Sequence, residues 1–346
     1  MAGELGRRPF LKLAAGGLAA GAALAGGWTV VNRDRNLFQI RHERTLMETS
    51  VSINVFCDDA ETARRAIDTS FRRMEAAVAM LSRFDPGSPV SRLNREGHLA
   101  DVPADLRTVV SRALEISAHT DGDFDITVAP VLDYFYGLNR PVLLNADMRR
   151  VVAERKSLIG YRSIRLDEAG LRFSTPGMRV TLDAVAKGFV VDQGIAALRA
   201  AGIERALVDA GGDLRAITGS SPNHFWNVGI VDPLHTDRVA AVVRLQNSAL
   251  STSGNYQVFF SADRRLFHIV NPHTGYSPEG YSSITVVAGE VMEADAMSVA
   301  AFSMALPRLR AAMDARGHQW LAFSQDGRAR WRSKNLPLVS GDAEVV

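Results

Sequence analysis

Apolar and polar residues alternate from Val51 to Phe56, which is the two-residue period of a half-buried strand. The period then changes. Ile67, Phe71, Met74, Val78 and Leu81 recur three and four residues apart, so they share one face of an amphipathic helix, with Arg64, Arg65, Arg72 and Arg73 elsewhere on it. Asp85-Pro86-Gly87-Ser88 closes this unit as a turn. Similar spacing predicts helices over 106–116 and 151–158, with short strands at 163–166 and 171–173 between them and a helix over 188–200. Strand patterns dominate next, at 206–208, 226–231, 240–245, 256–260, 266–270 and 284–287. A helix of small residues follows from Glu293 to about Met304, another over 307–313, and strands at 320–323 and 329–331 close the pattern. Strands and helices do not alternate regularly, which favours an α+β fold over a doubly wound parallel sheet. No repeat and no clear linker divides the chain after its first 43 residues, so it reads as one domain, with room for two lobes.

Composition narrows the function. The 346 residues are 47% hydrophobic and 23% charged, ordinary for a globular protein. A net charge of +2 with no basic stripe gives no support for nucleic-acid binding. The single cysteine, Cys57, excludes an internal disulfide framework and any multi-cysteine metal site. The N-terminus has its own character. Arg7-Arg8-Pro9-Phe10-Leu11-Lys12 is a twin-arginine pattern, followed by a mild apolar run from Leu13 to Val31, rich in Ala and Gly. Ala23-Leu24-Ala25 offers a small-residue cleavage site. Residues 1–31 therefore read as an export signal for the folded-protein route, or as an uncleaved anchor. Residues 32–43 read as a linker, 44–335 as the functional domain and 336–346 as a tail. The expected location is periplasmic, or otherwise outside the cytoplasm.

Several short runs bear chemistry. Thr181-Leu182-Asp183-Ala184-Val185-Ala186-Lys187-Gly188 combines a hydroxyl, an ammonium and a glycine at a predicted helix start. Thr252-Ser253-Gly254 precedes a predicted strand, and His268-Ile269-Val270-Asn271-Pro272-His273-Thr274-Gly275 is the most specific run of all. Glu293-Ala294-Asp295 opens the small-residue helix. Amides, hydroxyls, an ammonium and a carboxylate on such turns suit a phosphate-bearing ligand with a hard cation. His268 has a side chain that titrates near neutrality and can take a proton from a hydroxyl. A lone histidine on a strand can equally be structural. Asp121-Gly122-Asp123-Phe124-Asp125-Ile126-Thr127 reads as an acidic turn entering a strand, with Asp125 and Thr127 on one side. Phe84 can stack on a flat ring or fill the core.

In this order the runs resemble the FAD:protein FMN transferase family, the ApbE family, once grouped as thiamine biosynthesis lipoproteins. The match covers about residues 44–305. It implies an α+β, T-fold-like architecture with FAD in a cleft between two lobes. It also implies a reaction: Mg²⁺-dependent cleavage of FAD, transfer of FMN to a Thr or Ser hydroxyl of another protein, and release of AMP. By resemblance, Met47, Phe84, Asp123, Phe124, Asp125, Thr181, Lys187, Thr252 and Ile269 bind FAD. The Ala184 carbonyl and the Asp295 carboxylate hold Mg²⁺, and His268 helps to deprotonate the acceptor. Two departures from the family pattern stand out. Asp183 replaces a glycine, and Val299 replaces a threonine whose hydroxyl would bind the cation, leaving Ser298 as its substitute. The implied partner is a membrane or periplasmic electron-transfer protein that accepts flavin. Alternatives are a non-catalytic flavin-binding accessory protein and a Mg²⁺-dependent FAD pyrophosphatase.

Overall fold

The computed structural model describes residues 23–24, 28–34, 37–138, 144–341 and 344–345. The twin-arginine run and most of the apolar run after it lie outside the described residues. The chain opens with strands β1 (Ala23–Leu24), β2 (Trp28–Asp34), β3 (Leu37–Leu46) and β4 (Thr49–Cys57). Helices α1 (Ala60–Leu81) and α2 (Pro89–Glu96), strand β5 (His98–Leu99) and helix α3 (Ala104–His119) follow. Next come α4 (Ala129–Tyr136), α5 (Ala146–Lys156), β6 (Ile164–Asp167), β7 (Gly170–Phe173) and α6 (Asp183–Ala200). Five strands then run in series: β8 (Arg205–Ala210), β9 (Asp213–Thr218), β10 (Trp226–Val231), β11 (Val239–Leu245) and β12 (Ala249–Gly254). The rest comprises β13 (Tyr281–Ala288), α7 (Val291–Phe302), α8 (Leu306–Ala315), β14 (Gln319–Ser324), β15 (Arg330–Arg332), β16 (Leu338–Ser340) and β17 (Glu344–Val345).

One large sheet organises the molecule, in the order β1-β2-β3-β4-β8-β9-β12-β13-β14-β15-β17, and its neighbours pair antiparallel except β15 with β17. Its two faces carry different partners. Ala206, Val208, Ala210, Ile217, Ala249, Ile284 and Val286 face the helices α1, α6 and α7. Leu214, Ala216, Leu250, Val287, Leu321 and Phe323 face the other way, onto Val228, Ile230, Val243 and Leu245 of the small sheet β10-β11-β16. The period-2 alternation of strands thus builds two cores from one sheet.

Helix character follows position in these layers. α1 has one buried stripe, including Ile67, Phe71, Met74 and Leu81, and the Asp59 carboxylate caps its start by accepting from Glu61 N and Thr62 N. α7 is enclosed nearly all round, every residue except Val299 being buried. Its Ala and Ser content lets neighbouring backbones approach. At Gly188 of α6 an added Cβ would lie 2.6 Å from Met292 Cα, Met292 N and Val291 C, so only glycine permits this crossing.

Several expectations need correction. The linker read at 32–43 is instead part of β2 and β3, since its polar residues alternate with Phe38 and Ile40, and Ile40 is buried. The tail from 336 also contributes strands, β16 and β17. Residues 256–260 and 266–270, read as strands, form an irregular excursion with isolated bridges in place of a ladder, Phe259 to Phe267 among them. Thr252-Ser253-Gly254, read as a turn before a strand, is instead the end of strand β12. The run after Asp125 is no strand: a 3-10 turn at Ile126–Val128 leads into α4.

Candidate active site at the α6–α7 crossing

The α6–α7 crossing carries the chemistry. Lys187 precedes Gly188, and its ammonium ion-pairs with the Asp213 carboxylate at the start of β9. Asp295 lies one helical turn beyond Met292, and its Oδ2 accepts from Gly188 N at 3.3 Å. Asp213 also accepts from the Ser251 hydroxyl of β12. Ser253, two residues on and so on the same face, shares a hydrogen bond of 2.7 Å with Ser298 of α7. Ser298 in turn donates to the Asp295 carbonyl at 2.8 Å.

Electrostatics tie these groups together. Burial alone would lower the Lys187 pKa, but the charges of Asp213 and Asp295 outweigh it and raise the value, so the ammonium keeps its proton. Burial holds the Asp295 carboxyl well above its usual range, and the Asp213 charge adds to this while Lys187 opposes it. His268 is pushed down to about 4, first by burial and then by the Lys187 charge, and its Nδ1 is buried with no partner. It is therefore a neutral imidazole at physiological pH.

Two buried carboxylates share one ammonium, so the cluster has unmet demand for positive charge. This donor set fits a hard divalent cation, which favours carboxylate, carbonyl and hydroxyl oxygens. Ala184 departs from helical geometry (φ −93, ψ 16), which turns its carbonyl off the regular ladder one turn before Gly188. Among the described residues no three His, Cys, Asp or Glu side chains form a ready metal cage. A Mg²⁺ site that borrows substrate phosphates needs only one or two carboxylates.

The rim is aromatic. Phe84 is 72% exposed, with the Arg83 guanidinium 4.4 Å from its ring centroid. Arg83 itself is buried, ion-paired with Asp133 of α4 and with Asp183 at the start of α6. Asp183, standing where the family pattern has glycine, is thus taken up by Arg83. Tyr136 lies 5.6 Å from the same guanidinium.

The structure brings Lys187, Ala184, Asp295, Ser298 and His268 into one neighbourhood. It gives other predicted residues local duties. Asp125 accepts from Thr127 N, Thr127 Oγ1 and Tyr161 N, so its carboxylate is taken up by its own turn and by the distant Tyr161 backbone. Asp123 is held by Arg308 Nε at 2.8 Å and His273 Nε2 at 3.0 Å. Phe124 and Ile269 are buried in the main core. Thr181 Oγ1 accepts from Asp183 N, a capping role at the start of α6. Met47 sits with Glu48 in the two-residue turn between β3 and β4, both at positive φ (51 and 58), and packs on the main core. Thr252 faces the opposite side of the sheet from Asp295, and its hydroxyl pairs with Thr285 at 2.9 Å. Its neighbours Ser251 and Ser253 face the site instead. Asp213, Ser251 and Arg83 had no role assigned from the sequence, and Ser253 entered only as a hydroxyl of the Thr252-Ser253-Gly254 run; alternation along a strand at 249–254 would have found both serines. Two hollows of about 530 and 650 Å³ lie elsewhere, one beside Glu293 and His318, the other between Tyr276, Phe302 and Trp331.

The ApbE family model matches residues 47–322. The FAD:protein FMN transferase of Haemophilus influenzae is 31% identical over 237 residues, covering 65% of this chain and 68% of that protein. The FAD:protein FMN transferase of Salmonella typhimurium is 31% identical over 265 residues, covering 73% of this chain and 75% of that protein. Among solved structures, the ApbE protein of Thermotoga maritima superposes with a TM-score of 0.75 at 27% identity, covering 86% of this chain and 97% of that one. The flavin transferase ApbE of Vibrio cholerae gives 0.73 at 25%, covering 86% and 98%. With the family match spanning most of its length and the fold shared over 86% of it, this chain belongs to the ApbE family.

Proposed function

We propose that this protein is a FAD:protein FMN transferase, dependent on Mg²⁺, that flavinylates a Thr or Ser hydroxyl of an electron-transfer protein outside the cytoplasm. The observation that carries this reading is the half-buried Lys187 gathered with the buried Asp213 and Asp295 at the α6–α7 crossing, in a chain of the ApbE family. Export rests on Arg7-Arg8 and the apolar run after it. No described helix is long and apolar enough to cross a membrane.

The residues divide the work. Asp295 and the Ala184 carbonyl would hold the cation, which supplies charge neutralisation at the pyrophosphate when bound. Lys187 stays protonated and presents a fixed positive charge to the phosphates. His268, neutral and with an unpartnered ring nitrogen, would accept the proton of the attacking hydroxyl. Phe84 offers an exposed ring for stacking on a flat one. The phosphoryl bond to the acceptor oxygen forms as the pyrophosphate bond breaks, and AMP leaves with the released oxygen.

The purified protein, given FAD, Mg²⁺ and a co-expressed acceptor, should release AMP and turn the acceptor band fluorescent. AMP with free FMN and no labelled acceptor identifies a pyrophosphatase, and bound flavin without AMP identifies a carrier. Asp295→Asn should lower turnover by about 100-fold or more while the protein stays folded. Undiminished turnover removes Asp295 from the mechanism.

A further inference from the structure

Helix α7, which carries Asp295, begins without a cap of its own. Glu290 occupies the N-cap position in extended conformation (φ −132, ψ 147) and its side chain makes no bond to the first turn. The first N–H groups of a helix have no partner within it. Here they turn to a different helix. Asp192 of α6 accepts from Val291 N at 3.2 Å through Oδ1 and from Met292 N at 3.0 Å through Oδ2. Its Oδ1 also accepts from Arg215 Nη1 of β9, and each partner of that ion pair is 12% exposed.

This pair echoes the one in the site. Lys187 of α6 meets Asp213 of β9, and five residues along α6 Asp192 meets Arg215, two residues along β9, with the charges exchanged. Between them, Gly188 presses on Met292. Asp295 follows Met292 by three residues, one turn of helix. A single buried carboxylate thus joins three elements, and each of the three supplies a member of the reactive cluster: Lys187, Asp213 and Asp295.

We infer that Asp192 is a positioning residue of the flavin transferase site, fixing the start of α7 against α6 and β9 so that Asp295 is presented to the Lys187–Asp213 pair. The inference rests on the transferase reading. Asp192 does not touch substrate; it acts through the place of Asp295. A carboxylate that only capped α7 would need no arginine from the sheet. One that fixes three elements in register does.

Asp192→Asn keeps the shape and removes the charge and one accepting oxygen. The Mg²⁺ concentration for half-maximal FAD binding, read by quenching of flavin fluorescence, should rise on the order of tenfold or more. At saturating Mg²⁺ the KM for FAD should change little while kcat falls. Glu290→Ser, added to Asp192→Asn, gives α7 a cap of its own. That double variant should recover thermal stability and leave the Mg²⁺ shift in place. Recovery of both would reduce Asp192 to a cap and overturn the inference, as would an unshifted Mg²⁺ response in Asp192→Asn. Wild-type protein that binds FAD but releases no AMP sinks the transferase reading alone, because the fluorescence titration still reports on Asp192.

Discussion

His268 shows how burial decides what a residue can do. In the unfolded chain an imidazole takes a proton below about pH 6.5, whereas in the fold His268 does so only near 4. Between those values the unfolded state binds more protons, so stability falls as pH drops through that window. The loss is absent above pH 6.5 and reaches at most about 3 kcal/mol at the acid end. His268→Gln should therefore shrink the difference between urea midpoints measured at pH 7 and pH 4.5, and an unchanged difference would place the acid sensitivity elsewhere. The same neutral imidazole should keep turnover free of a histidine inflection near pH 6.5. Ser298 carries a second residue-scale lesson. Its hydroxyl is committed to Ser253 and to the Asp295 carbonyl, so it is a poor stand-in for the oxygen missing at Val299. Val299→Thr is expected to lower the Mg²⁺ concentration needed for half-maximal turnover, and a titration that does not move would return the role to Ser298. Residue types were legible in the sequence, but their partners were not. Nothing in the spelling of 123–125 announces that Arg308 and Tyr161, distant in the chain, take up those two carboxylates.

Elements decide which side a residue faces. Once 249–254 is a strand, Ala249, Ser251 and Ser253 fall on the helix side and Leu250 and Thr252 on the other. Reading Thr252-Ser253-Gly254 as a turn hid the alternation and promoted Thr252 over the two serines beside it. The helices with clear stripes were read well, α1 and α3 above all. α7 was legible only as a small-residue run, because a helix enclosed on nearly all sides needs no stripe. The 256–270 excursion has the apolar content of strands, yet local hydrogen bonds such as those of Ser261 Oγ with Asp263 and Leu266 N organise it instead. Gly188 tests the geometry of the crossing. Its absent Cβ would meet backbone rather than a movable side chain, so α7 must shift to admit one. Gly188→Ala should destabilise the protein by about 1–3 kcal/mol and lower turnover beyond what the folded fraction explains. Wild-type turnover per folded molecule would mean that Asp295 tolerates a displaced helix.

At the scale of the whole molecule, the large sheet is what makes a dispersed set of motifs converge. β4 and β8 pair across more than 140 residues of intervening chain, and that closure sets α1 and α6 on one face. The sequence revealed the α+β class because strands and helices failed to alternate. It did not reveal that the sheet extends beyond the first half-buried strand towards the N-terminus. Trp28 of β2 stacks on His42 of β3, with centroids 4.0 Å apart and planes 11° apart, and His42 packs edge-on against Phe71 of α1. The described residues from 28 onward are therefore part of the sheet, although the apolar run read as a leader extends to Val31. A cut at Ala23-Leu24-Ala25 spares β2 and makes it the sheet edge, whereas a cut after Asp34 strips β2 and exposes β3, a long strand with its hydrogen-bonding edge unpaired. Two truncations separate these cases. Protein beginning at residue 26 should unfold at the same denaturant midpoint as the full chain. Protein beginning at residue 37 should lose about 2 kcal/mol through the missing tryptophan and its ladder, and should aggregate more readily through the bared edge. Equal stability of the two would show that β2 is an accessory to the sheet, and that the chain can be shortened up to β3 without loss of stability.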